Sequence, residues 1–195
     1  MAFPQGVNFR ATAGFVTDPA NYTYEISTNP NYPTTSPQGN NIGWTVTNGT
    51  TRDRNAGNDP RLAGLGGGGS ADIYEIDLPS AGSYTISLAM GDANYGGSNN
   101  KAEVFDDSSS LGVLFSGAST IANSFLDATG VLRTAANWPS QNVGVSKTFS
   151  TTKCKIRIGD GVNNNSINSI FIQADAPPPP PSDRTMIVVS TNMRW

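Results

Sequence analysis

Ser83-Tyr84-Thr85-Ile86-Ser87-Leu88-Ala89-Met90 sets Tyr84, Ile86, Leu88 and Met90 at every second position, with Ser, Thr, Ser and Ala between them. Successive side chains of a strand point to opposite faces, so a period of two describes a strand with one buried face. Immediately upstream, Tyr74, Ile76 and Leu78 alternate with Glu75 and Asp77. The link Pro79-Ser80-Ala81-Gly82 is short and turn-forming, so an antiparallel hairpin is expected here.

Lys153-Cys154-Lys155-Ile156-Arg157-Ile158 repeats the pattern, with Cys154, Ile156 and Ile158 facing inward and three cations outward. Such cations are expected to protect a strand from edge pairing. Beyond the turn Gly159-Asp160-Gly161, residues 167–173 read as the next strand. Shorter strands are expected at 7–11, 22–26, 44–47, 102–105, 113–115, 125–127 and 145–149. A helix competes only over 118–137, and a strand pair around Thr129-Gly130 is preferred there. Leu65-Gly66-Gly67-Gly68-Gly69-Ser70 reads as a long loop inside the domain. Many short strands separated by Gly, Asn, Asp, Ser and Pro make the fold class all-β, a β-sandwich or jelly roll.

The expected organisation is a sandwich domain over 1–175, a polyproline linker over 176–182 and a C-terminal arm over 183–195. Five consecutive prolines, Pro177 to Pro181, favour a stiff extended spacer. The arm carries Met186, Ile187, Val188 and Val189 and ends at Trp195. A strand-length apolar peptide with no partner of its own is expected to add to the sheet edge of another subunit or to dock Trp195 in a pocket, the competing readings being that it folds back on its own sandwich or is disordered.

The chain has 195 residues with 15 acidic and 12 basic side chains, a formal net charge of −3 and no histidine. Without histidine, neither a Ser-His-Asp nor a Cys-His catalytic device nor a His-ligated metal can be assembled within the chain. The acidic balance argues against nucleic acid as a partner. No apolar run approaches the ~18 residues of a membrane-spanning helix, so membrane insertion is not expected. The opening residues lack a basic stretch followed by an apolar one, so assembly in a reducing cytosol is expected. Cys154, alone, has no internal disulfide partner.

Residues 43–62 concentrate Trp44, paired charges (Arg52, Asp53, Arg54, Asp59, Arg61) and amides. A sugar ring stacks its C–H face on an aromatic ring while planar Arg, Asp and Asn groups bond its hydroxyls. A structural role for the same residues, with Trp44 in the core, is the competing reading. Tyr95 and Trp138 are further candidates for a stacking platform. Asp92-Ala93-Asn94, Asp106-Asp107, Asp127 and Asp160-Gly161 offer oxygens to a calcium ion, although turn capping explains the same residues.

Gly43-Trp44, Asp53-Arg54, Tyr74-x-Ile76-Asp77-Leu78-Pro79, Gly82-x-Tyr84-x-Ile86, Gly91-Asp92 and Ile167-Asn168-x-Ile170-x-Ile172 together resemble the galactose-binding-like jelly-roll modules appended to polysaccharide lyases and carbohydrate esterases. The resemblance implies an eight- or nine-stranded sandwich, often with a structural calcium, and a non-catalytic role in holding carbohydrate. The chain departs from that pattern at Val7-Asn8-Phe9-Arg10, where those modules open with an acidic-aromatic segment.

Two functional readings follow, neither an enzyme. In the first, the protein is a bacteriophage virion component, capsid-decorating or tail-associated, with other virion proteins or copies of itself as partners. Its arm would attach it and its outward jelly roll would adhere to cell-surface carbohydrate. In the alternative it is an extracellular carbohydrate-binding module of a polysaccharide-degrading system, using Trp44, Arg54, Asp92 and Tyr95.

Overall fold

The computed structural model describes residues 3–25, 31–46, 49–55, 57–69, 71–162 and 165–176. The linker prolines from Pro177 onward and the whole arm, with Met186, Ile187, Val188, Val189 and Trp195, lie outside the described residues.

The chain forms a β-sandwich jelly roll. One sheet runs in the order Leu132–Thr134, Ser124–Asp127, Gly82–Asp92, Ser169–Ala174, Gln5–Phe9, Tyr22–Glu25, and Gly144–Phe149 also pairs with Gly82–Asp92. Its pairings are antiparallel except that Gln5–Phe9 and Tyr22–Glu25 run parallel. The facing sheet runs Ser109–Thr120, Gly97–Asp106, Lys153–Ile158, Asp72–Asp77, Asn41–Val46, Thr34–Thr35. A small third sheet joins Ser166–Ile167, Gly64–Gly67 and Arg52–Asp53. Among the described residues the only helical elements are single 3-10 turns, Pro60–Leu62 and Ala135–Asn137, and no helix is long and apolar enough to cross a membrane.

The alternating residues do what their period requires. Tyr84, Ile86, Leu88 and Met90 enter the core between the sheets, where they join Ile76, Cys154, Ile156 and Ile158 from the opposite side. On the other face of the same strand, Ala89 packs with Leu62 and Phe125 under Trp138. The strand pair around Thr129-Gly130 forms as expected, Ser124–Asp127 against Leu132–Thr134.

The hairpin expected at residues 74–90 does not form. Asp72–Asp77 pairs with Asn41–Val46 and Lys153–Ile158, whereas Gly82–Asp92 belongs to the other sheet. Four extended residues reach about 13 Å, enough to step across the ~10 Å between packed sheets. Alternation identifies a strand and its buried face, and it leaves the partner open.

Lys153–Ile158 is likewise an interior strand. Its cations lie over carboxylates of neighbouring strands and of the turn after one of them: Lys153 with Asp77 at 2.6 Å, Lys155 with Asp107 at 2.7 Å and Arg157 with Glu103 at 2.6 Å. They form a cross-strand ladder instead of guarding an edge.

The glycine-rich segment, expected to be a loop, supplies the buried strand Gly64–Gly67. A Cβ at Gly66 would come within 2.9 Å of the Phe9 ring, and Gly67 sits at φ +81. The missing side chains let the backbone lie flat against an aromatic, in a conformation that L residues avoid.

Trp44 is a core residue. It is completely buried and packs against Phe9 at 5.2 Å and edge-on to Tyr74 at 5.0 Å between ring centroids. Its place as a glycan contact is therefore corrected: an indole with no exposed surface offers no face to a sugar. Trp44→Ala is expected to destabilise the fold by about 3–5 kcal/mol, measured by chemical denaturation.

Candidate functional site

The structure brings together three of the four residues that the sequence put forward for glycan contact. Arg54 directly follows the Arg52–Asp53 strand, and its loop is fixed by the Arg54 and Asn55 amides, which both donate to the Ala63 carbonyl at 2.9 and 3.1 Å. Asp92 ends the long Gly82–Asp92 strand. Tyr95 lies in the turn that follows, where the Asn94 amide donates to Asp92 Oδ1 at 2.8 Å. This is an Asx turn, the usual use of an aspartate at a strand exit.

Arg54 Nε donates to Asp92 Oδ1 at 2.7 Å, and the guanidinium carbon stands 5.9 Å from the Tyr95 ring centroid. Tyr95 is 66% exposed. Arg54 Nη1 donates to the Asp53 carbonyl at 3.3 Å. Among the described residues, Asp92 Oδ2 and Arg54 Nη2 have no hydrogen-bond partner. The pair therefore offers an acceptor and a donor beside an open aromatic face.

A recess of about 90 Å³ opens at this point, lined by Asp92, Tyr95, Asn100, Thr120 and Ser166 with the backbone of Gly96 and Gly97. Asn100 is held by its Nδ2 donating to the Ala118 carbonyl at 3.1 Å, and Thr120 Oγ1 accepts from the Gly97 amide at 2.9 Å. Ser166 also borders a larger recess of about 340 Å³, with Thr50, Arg52 and Leu65. Arg52 bonds Thr50 Oγ1 at 3.2 Å and takes part in no ion pair among the described residues. Asn100 and Thr120 come from consecutive paired strands and Ser166 from one far along the chain, and nothing in their local sequence marks them.

The other candidates are engaged elsewhere. Trp138 stands edge-on to Phe125 at 6.2 Å and covers the outer cluster of the first sheet. Cys154 is buried, and burial pushes its thiol well above the ordinary range, which removes it as a nucleophile.

The carboxylates that the sequence offers to calcium accept bonds within the protein, Asp160 from the Val162 amide at 2.9 Å. Asp106 accepts from the Ser150 amide and hydroxyl at 2.7 and 2.5 Å and from the Thr151 amide at 3.0 Å, and also from the Thr151 hydroxyl. Asp127 accepts from Thr129, Val131 and Arg133. Asp107 holds Lys155, and Asp92 holds Arg54. Among the described residues, no three Asp, Glu or Cys side chains converge in a group that could hold a metal ion, whereas calcium collects six to eight oxygens.

No family model and no curated protein matches the chain. Solved structures that superpose on it include Bacteroides uniformis beta-glucuronidase 2, with TM-score 0.46 and 12% identity over 89% of this chain and 18% of that one. The Podospora anserina GH26-CBM35 beta-(1,4)-mannanase gives 0.43 and 17% over 72% and 29%. A family 35 carbohydrate binding module from Clostridium thermocellum gives 0.38 and 12% over 70% and 93%. The chain thus spans less than a third of either enzyme and nearly the whole of the module. At these scores and identities, no ligand and no residue role is carried across.

Burial alone would raise the Asp106 carboxyl, but the hydrogen bonds from Ser150 and Thr151 outweigh it and hold the group at about 2. An aspartate in the unfolded chain titrates near 4. The stabilisation is therefore complete above about pH 4 and is lost as pH falls toward about 2. Asp106→Ala is expected to cost about 2 kcal/mol at neutral pH and to flatten this acid limb, read from melting curves across that range.

Proposed function

We propose that the protein is a non-catalytic carbohydrate-binding module whose ligand meets Tyr95, Arg54 and Asp92 at the end of the Gly82–Asp92 strand. The observation that carries this reading is the Arg54–Asp92 pair, with a donor and an acceptor edge that meet no partner among the described residues, beside an exposed tyrosine ring. A pyranose presents the complementary surface, an apolar C–H face on one side and vicinal hydroxyls at its rim. The Arg54–Asp92 hydrogen bond holds both side chains in place, so little side-chain freedom is lost on binding.

The 90 Å³ recess is far smaller than the ~300–1,000 Å³ of a typical ligand pocket. It accepts one edge of a ring, with the next ring of a chain lying over Ser166 toward Arg52. Such an open site suits weak binding, millimolar to micromolar, or about −4 to −8 kcal/mol. The recess carries a single carboxylate, Asp92, already held by an arginine. Glycoside hydrolysis generally takes two, so the site's chemistry is retention of a glycan.

Affinity electrophoresis of the full chain through gels containing a panel of polysaccharides tests this reading. Retardation by at least one is expected, with Tyr95→Ala weakening it about tenfold or more, a loss of roughly 1.4 kcal/mol or more. The melting temperature of that variant should be unchanged, because its ring is mostly in solvent. Uniform mobility across the panel, or retardation that survives in Tyr95→Ala, refutes the proposal.

A further inference from the structure

Galactose-binding-like modules often carry a structural calcium, and the carboxylates this sequence offers for one are occupied as described above. The first strand of the sandwich leads instead into a buried cation. Arg10 follows Gln5–Phe9 and is 2% exposed. Its Nη2 donates to Asp18 Oδ2 at 2.5 Å and its Nη1 to the Val16 carbonyl at 3.2 Å. The other Asp18 oxygen accepts from Asn8 Nδ2 at 2.7 Å.

The guanidinium carbon lies 4.6 Å from the ring centroid of Tyr24, on the strand that runs parallel to the first. From another side the glycine strand closes in: a Cβ at Gly64 would stand 2.7 Å from Arg10 Cβ. One side chain therefore ties together the first strand, the 11–18 loop, the second strand and the glycine strand.

Calcium joins loops by gathering six to eight oxygens around a double positive charge. Here, among the described residues, a single positive charge meets one carboxylate, one carbonyl and one ring face, a balance of charge reached without a metal, while Arg10 Nε has no hydrogen-bond partner. A second cation at this spot would face the guanidinium in a region of low dielectric, where like charges repel strongly. Asp53, on the strand paired with the glycine strand, is already committed to the Ala11 and Thr12 amides, at 2.9 and 3.2 Å.

We infer that Arg10 is the built-in cation of this sandwich, fulfilling the joining role of a structural calcium, and that the fold is independent of that metal. The inference is separate from the glycan reading, since Arg10 is not among the residues lining either recess.

The test compares thermal unfolding of the full chain, stripped with chelator, in excess EDTA and in millimolar calcium chloride. Calcium that bound the native state would raise the melting temperature by mass action, so coincident curves are expected. Arg10→Met should melt about 5–10 °C lower, because it leaves Asp18 and its neighbours without their cation. Arg10→Lys, which keeps the charge and loses the planar fork, should fall between the two. A chelator-induced drop or a calcium-dependent rise of several degrees in the unsubstituted chain overturns the inference, as does Arg10→Met melting with its parent. Should Arg10→Met fail to fold, the calcium comparison and the Arg10→Lys melting temperature decide.

Discussion

The packing of Phe9 against Trp44 and Tyr74 is the contact on which the rest of the molecule is hung. Three large rings, from one strand of the first sheet and two of the second, fill the middle of the sandwich. Phe9 also presents its ring to Gly66, so the small third sheet can settle only where side chains are missing. That sheet carries Arg52–Asp53 and hence the loop that aims Arg54 at Asp92. Geometry at the rim is thus set from the interior outward, through a glycine backbone pressed on an aromatic.

Much of the fold was legible because burial on one face leaves a period of two in the sequence. Tyr84, Ile86, Leu88 and Met90, or Cys154, Ile156 and Ile158, declare their buried face without any knowledge of partners. Partner choice was not legible. The same alternation serves a hairpin or a step between sheets, and the step at residues 79–82 is decided by tertiary packing. Glycine misled for a related reason: low complexity resembles flexibility until an aromatic is found lying on it.

The site was legible in part. Arg54, Asp92 and Tyr95 were legible as candidate glycan contacts, but the ion pair between Arg54 and Asp92 was not, because 38 residues separate them. Trp44 carried the same chemical credentials, but a Trp on a strand facing Phe9 and Tyr74 gains more from burial than from display. Ser166, Asn100 and Thr120 could not be found by motif, because it is the pairing of Gly97–Asp106 with Ser109–Thr120 and the distant Ser166–Ile167 strand that bring them together. Charge in this protein is spent mostly on internal architecture: the cations of Lys153–Ile158 and Arg10 are all matched by acids nearby.

The antiparallel neighbours Gln5–Phe9 and Ser169–Ala174 bring the start and finish of the described fold side by side, with Gln5 opposite Ile172. A body whose entry and exit are adjacent can be spliced into a surface turn of a host protein without prising the host apart, since the gap to be bridged is one interstrand spacing. Nature and protein engineers alike can treat such a sandwich as a bead to be threaded anywhere two chain ends meet.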